Sequence, residues 1–224
     1  MGWRVPAVVL AALAFASPAA ASPLRVGAAT SDFSPPAHGT VSDPADCPAP
    51  GFDGPRAFAF EEPYKDVQGS GHYDLGDPYV DCNGDGRWDG NLLGGGADSP
   101  RFYTKVADPV GARAIVVSNP HTTIAVEVVD QEGLFNVYQQ RIRAQVARDG
   151  YRLDGIYISA THDESAPDSL GLSGVTQLTS GVNPYWVDYM VRRSAQAIER
   201  AYDAMRPATI QYAEAQEPAN LRQC

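Results

Sequence analysis

Three observations point to an α/β fold, a mixed β-sheet packed with helices. Short runs rich in β-branched residues recur at Arg113–Ser118, Thr123–Val129 and Gly155–Thr161, the composition of buried strands. Apolar residues also repeat at a helical spacing, as Leu134, Tyr138, Ile142 and Val146, and again as Trp186, Met190, Ala197, Ala201 and Met205. In chain order these segments read strand, strand, helix, strand, helix and a final strand, which sets helices against a largely buried sheet.

Leu24–Thr30 is the first strand candidate. From residue 31 to about 110 the chain holds ten prolines and many glycines and shows no lasting alternation, so it reads as a long Gly/Pro-rich loop lobe. A plain connection of roughly eighty residues would be far outside the usual range, so this lobe must find order of its own. Asn119–Pro120 is the turn between the two strong strands. Arg141, Arg143 and Arg148 fall on the solvent side of the first helix, which stops near Gly150. Asn183 followed by Pro184 supplies an N-cap and a first helical residue for the second helix. Pro207 is expected to end that helix, with Ala208–Ala213 returning as a strand. No internal repeat is evident, and no GxGxxG or GxxxxGK[ST] segment supports a dinucleotide or P-loop reading.

The chain has 224 residues, 44% of them apolar and 20% charged, a globular composition that favours one domain. Its net charge of −10 argues against a nucleic-acid partner, because tracking phosphates needs a basic surface. MGWR followed by an apolar run and the small residues Ala19 and Ala21 reads as an export signal over residues 1–21. Residues 22–224 then form a single α/β domain, secreted or periplasmic, with no transmembrane anchor once the signal is removed. In an oxidising compartment Cys47 and Cys82 are expected to pair, closing a loop within the lobe. Cys224, the third cysteine, fits an intermolecular bond, a free thiol or a chain that stops early.

The sharpest spacing lies inside the lobe. Asp81, Asn83, Asp85 and Asp89 occupy positions 1, 3, 5 and 9 of an EF-hand-like loop, Gly86 sits at the sharp turn, and the Arg87 carbonyl falls at position 7. Such hard oxygen donors suit Ca2+, although position 12 is Leu92, so a further ligand such as Asp98 would be needed. The plainer alternative is a polar Asx/Gly turn cluster. With the disulfide, a calcium site would make residues 42–100 a stabilised insertion.

A second packet closes the strand at Gly155–Thr161, where His162, Asp163 and Glu164 follow an apolar run. Ligands and catalytic groups collect at the carboxyl ends of strands in α/β sheets. His162 is a candidate metal ligand, Glu164 or Asp163 a candidate base or a hydrogen-bond acceptor behind that ligand, and Asp130 ends the neighbouring strand in the same way. His38, His72 or Asp53 of the lobe is expected to approach this cleft. No G-x-S-x-G elbow is present, which argues against that type of serine hydrolase.

With these residues in place the chain resembles the N-terminal part of the neutral/alkaline, non-lysosomal ceramidase family. The resemblance rests on Gly27–Pro35, Ala112–Val117, Val129–Gly133 and Ala160–Asp168 as an ordered set. It implies a hydrolase of the N-acylsphingosine amide using a zinc-activated water, with a lipid amide or other small amide as substrate. His162 matches the first histidine of the family's T-H-T-H-S-G-P segment and would ligate Zn2+. Glu164 stands where the family has a second histidine. Arg222 matches the arginine of the N-x-N-R-S segment that binds a carboxylate product. The family's further zinc ligands, a His, a Glu and a Tyr, correspond to positions beyond residue 224. The resemblance therefore implies a chain lacking a C-terminal portion. The reading beside it is an exported, calcium-stabilised binding or structural domain on the same scaffold without turnover.

Overall fold

A computed structural model describes residues 24–95, 100–172, 174–176 and 178–215. The expected signal segment, Asp98, Arg222 and Cys224 lie outside the described residues. Strands β1 (Arg25–Asp32), β2 (Gly111–Ser118) and β3 (Thr123–Val129) form an antiparallel meander, and helix α1 (Asn136–Arg148) carries the chain to β4 (Gly155–Ala160). Strand β4 runs parallel to β3, Val129 opposite Ala160, so both strands end at the same edge. Helix α2 (Pro184–Asp203) returns the chain to a two-residue strand β5 (Arg206–Pro207) against β1, giving a mixed sheet of order β4-β3-β2-β1-β5.

The strands alternate as their sequences demand. Ala112, Ala114 and Val116 of β2 and Ala125 and Val129 of β3 point into the core, where they meet Ile142 and Val146 of α1 and the apolar stripe of α2. Small residues on β1 and β2 let α2 lie close to the sheet. A Cβ at Gly27 would stand 1.9 Å from the Ala201 carbonyl oxygen, so only glycine fits beneath the helix there. Asn183 caps α2 by accepting a 3.0 Å hydrogen bond from Trp186 N–H, and Pro184 takes the first helical position. The opposite face of the sheet is open, with Ala28, Ile115, Val126 and Tyr157 aligned across four strands.

Four details depart from expectation. Ala208–Ala213 forms no strand: running antiparallel to β1 from its Arg206–Val26 pair, the chain passes the start of β1 at once and loses its partner. Helix α2 ends at Asp203, before Pro207, because Arg206 is already extended and paired. Arg143 is half-buried rather than solvated, its Nε donating to the Ile156 carbonyl at 3.0 Å. Strand β4 is an edge strand and not a buried one, with Tyr157 63% exposed.

Between β1 and β2 the lobe is ordered by cross-links instead of regular ladders. Cys47 and Cys82 form the expected disulfide, Cα atoms 5.9 Å apart. The lobe also contains an internal repeat that the sequence reading missed. Asp66-x-x-Gly-x-Gly-x-Tyr-Asp74 and Asp81-x-x-Gly-x-Gly-x-Trp-Asp89 fold alike. Asp66 accepts hydrogen bonds from the amides of Gly69, Ser70 and Gly71, as Asp81 does from Gly84, Asp85 and Gly86. Both glycines of each loop have positive φ, between 71° and 84°. The paired aromatics, Tyr73 and Trp88, stack with centroids 4.4 Å apart, and with Tyr64 they form a second small core.

Candidate functional site

The carboxyl ends of β3 and β4 are joined by a short backbone clamp. Thr161 N–H donates to Val129 O and Asp163 N–H to Gln131 O, both at 3.0 Å. Between these two bonds His162 is held at φ 65°, a left-handed conformation that non-glycine residues adopt at a cost of about 1–3 kcal/mol. The strain aims the imidazole. Its Nδ1 lies 2.9 Å from the Glu132 carbonyl, which can only accept, so Nδ1 carries a hydrogen and the ring's orientation is fixed. Nε2 lies 3.5 Å from Glu164 Oε1, and both side chains are open to solvent.

The lobe reaches this edge through residues 92–95. Leu93 pairs with Pro167, Gly94 N–H donates to Ala166 O, and Gly95 N–H donates to Glu132 Oε2 at 2.8 Å. Arg101 fastens the junction, its Nη1 donating to the carbonyls of Gly94, Gly95 and Glu164. These residues are the lobe's hydrogen-bonded contacts with the strand ends. His38 donates its amide to Ala57 O, and His72 stacks on Phe102. A groove of about 470 Å³ runs alongside, with Leu93, Phe102, Val106 and Val110 on its apolar wall and Asp163 and Ser165 on its rim.

The structure thus joins His162 with Glu164. Asp130 ends the neighbouring strand, but its carboxylate turns toward β2, pairing with Arg113 at 2.7 Å and accepting from Gly111 N–H at 3.1 Å. Sequence reasoning missed Glu132 and Arg101. Their contacts with His162 and Glu164 span 30 and 63 residues, a separation that no local pattern reports.

His162 Nε2 and Glu164 Oε1 lie 3.5 Å apart as two possible donors, whereas catalytic zinc takes about three protein ligands and a water. Among the described residues no group of three or more His, Cys, Asp or Glu side chains is arranged to hold a metal ion. These residues do not by themselves fit a catalytic zinc. In the second acidic loop, the Asp81 oxygens lie on three backbone amides, Asp85 pairs with Arg87, and Asn83 Nδ2 donates to Asp89 Oδ2. Glu62, also missed in the sequence, is the hub beside it. Its carboxylate accepts from the Cys82 and Asp89 amides and from the Tyr185 hydroxyl. Burial pushes the Asp89 carboxyl up to about 7 and raises Glu62, against the pull of Arg87 on Asp89 and of these hydrogen bonds on Glu62.

No family model matches the chain, and no curated protein matches it significantly. Among solved structures it is similar to neutral ceramidase from Pseudomonas aeruginosa. That match has a TM-score of 0.50 at 16% identity and covers 83% of this chain and 22% of the other. A ceramidase complexed with C2 matches at TM-score 0.49, with the same identity and coverage. The first of these matches makes the fold of this chain ceramidase-like. The chain spans about a fifth of the length of the solved ceramidases. Among the described residues no helix is long and apolar enough to cross a membrane.

Proposed function

We propose that the chain is a ceramidase-like hydrolase scaffold directed at the amide bond of a lipid amide, with His162 and Glu164 on its reacting edge. The observation that carries the reading is the strained His162, its Nδ1 fixed by Glu132 so that Nε2 stands beside Glu164 at the end of a parallel strand pair. The ceramidase-like fold and the apolar groove next to this edge support it. In amide hydrolysis water adds to the carbonyl carbon and gives up a proton. In this reading Glu164 takes that proton and returns it to the leaving nitrogen, with the His162 imidazole 3.5 Å away on the same edge. Asp130 holds β2 against the site edge through Arg113 and the Gly111 amide.

With two donors at this edge among the described residues, the mature chain alone is expected to bind Zn2+ weakly and to release negligible amine from an N-acylsphingosine. Titration calorimetry should show the weak zinc binding lost in His162→Ala. Zinc binding indifferent to that substitution would overturn the assignment of His162. Robust turnover abolished by it would overturn the ligand count.

The repeated loops favour a second role for the lobe, as a calcium-stabilised module. Asp81, Asn83, Asp85, Asp89 and the Arg87 carbonyl are oxygen donors of the kind Ca2+ takes, and a cation would keep the buried Asp89 and Glu62 ionised. Chelation is then expected to lower the melting temperature, with Asp85→Ala abolishing the difference. Equal melting in chelator and in millimolar Ca2+ would rule the site out.

A further inference from the structure

We propose that Glu127 is a buried proton holder whose ionisation releases helix α1 from the sheet, making the fold progressively less stable as pH rises. The residue lies in the middle of β3, on its inward face with Ala125 and Val129, between Ala114 of β2 and Ile158 of β4. It is fully buried, and neither carboxyl oxygen has a hydrogen-bond partner. An unpaired charge in such surroundings is far more costly than a neutral carboxylic acid. Burial alone accounts for a carboxyl held well above its ordinary value of 4.5.

Among the described residues, the charged groups on the elements around it are engaged elsewhere. β2 and β4 present Ala112, Ala114, Val116, Ile156 and Ile158 on the inward face. On α1, Arg143 bonds to Ile156 O and Arg141 pairs with Asp188. On α2, Arg193 donates to Asp32 O, and Glu199 is coupled to Asp149. The helix layer above it is also uneven. Helix α2 lies across β1 and β2 and meets β3 only at its margin, while α1 is held chiefly by packing on α2. Ile142 and Val146 of α1 share the core with Ala125 and Val129, the residues that flank Glu127 on the inward face of β3, so separation of α1 would open that part of the core to water.

The direction of the effect follows from proton counting. Above the ordinary carboxyl range the unfolded chain has released this proton and the folded chain has kept it, so stability falls as pH rises. The folded-to-unfolded ratio drops about tenfold per pH unit until the folded carboxyl itself ionises. The test compares urea unfolding of the mature chain, Glu127→Gln and Glu127→Met between pH 5 and 8. Glu61, Glu62, Asp89 and Glu199 are raised as well, but they contribute alike to all three proteins and cancel in the differences. Either variant should gain about tenfold in that ratio per pH unit relative to the parent. Amide exchange in residues 136–148, corrected for base catalysis, should quicken with pH in the parent and not in the variants. If Glu127→Gln fails to fold, Glu127→Met decides. Stability curves parallel to the parent's, or helix exchange unchanged by the substitution, would overturn the proposal.

Discussion

Trp186→Ala is expected to destabilise the protein by about 3–5 kcal/mol, the usual cost of emptying a large buried aromatic site. Trp186 is fully buried at the start of α2, where it does three things at once. Its backbone amide is the one capped by Asn183, its indole Nε1 donates to the Phe33 carbonyl at 3.2 Å, and its ring meets Phe33 edge-on at 6.1 Å. Phe33 directly follows β1, so this one side chain ties the second helix to the first strand across 153 residues. Loss of the ring leaves both a cavity and an unpaired buried carbonyl. Trp186→Phe separates the two: it keeps most of the volume and loses the hydrogen bond, so it should cost about 1–3 kcal/mol. Urea melts should show lower midpoints for both variants with an unchanged slope. A midpoint for Trp186→Ala within a few tenths of molar of the parent would mean the core can collapse around the gap.

The same helix shows why so much of the scaffold was legible. Asn183-Pro184 and the spacing from Trp186 to Ala201 encode the cap and the buried stripe locally, so the sequence carries both. The strands were legible for a similar reason, since β-branched alternation matches a pleat with one face covered. Failures came where a partner decides the outcome. Ala208–Ala213 has strand composition, but Ile210 and Tyr212 stand in solvent, 70% and 85% exposed, because β1 offers no further edge. Of the candidate site, His162 and Glu164 were visible as chain neighbours at a strand end. The Glu132 carbonyl that fixes the imidazole and the Arg101 that binds the lobe to Glu164 are products of the fold. Glu127 is a different case. Alternation puts it on the same face as Ala125 and Val129, so its burial was readable, but its lack of partners was not. The loop repeat was written plainly at a spacing of fifteen and escaped because its apolar content is so low.

Removing the Cys47–Cys82 bond, by Cys47→Ser with Cys82→Ser, is expected to cost about 3–4 kcal/mol, from the entropy the crosslink takes from the unfolded chain over a separation of 35 residues. The lobe has little else of comparable strength, since its ladders are isolated bridges and its own core is a handful of aromatic rings. The loss should not stay within the lobe. Arg87 donates to the carbonyls of Ser180 and Val182, Asn183 donates to Phe60 and Gly90, and the Tyr185 hydroxyl donates to Glu62. These contacts hold the start of α2, so a loosened lobe withdraws support from the helix that Trp186 anchors. One cooperative transition at lower urea is therefore expected, with fluorescence and circular dichroism reporting the same midpoint. Two separated transitions, the first confined to the lobe aromatics Tyr73 and Trp88, would show that the lobe unfolds on its own and that its contacts with α2 carry little energy. The bond itself is checked by counting thiols in denatured, unreduced protein, where one free thiol of the three cysteines is expected and three would contradict the crosslink.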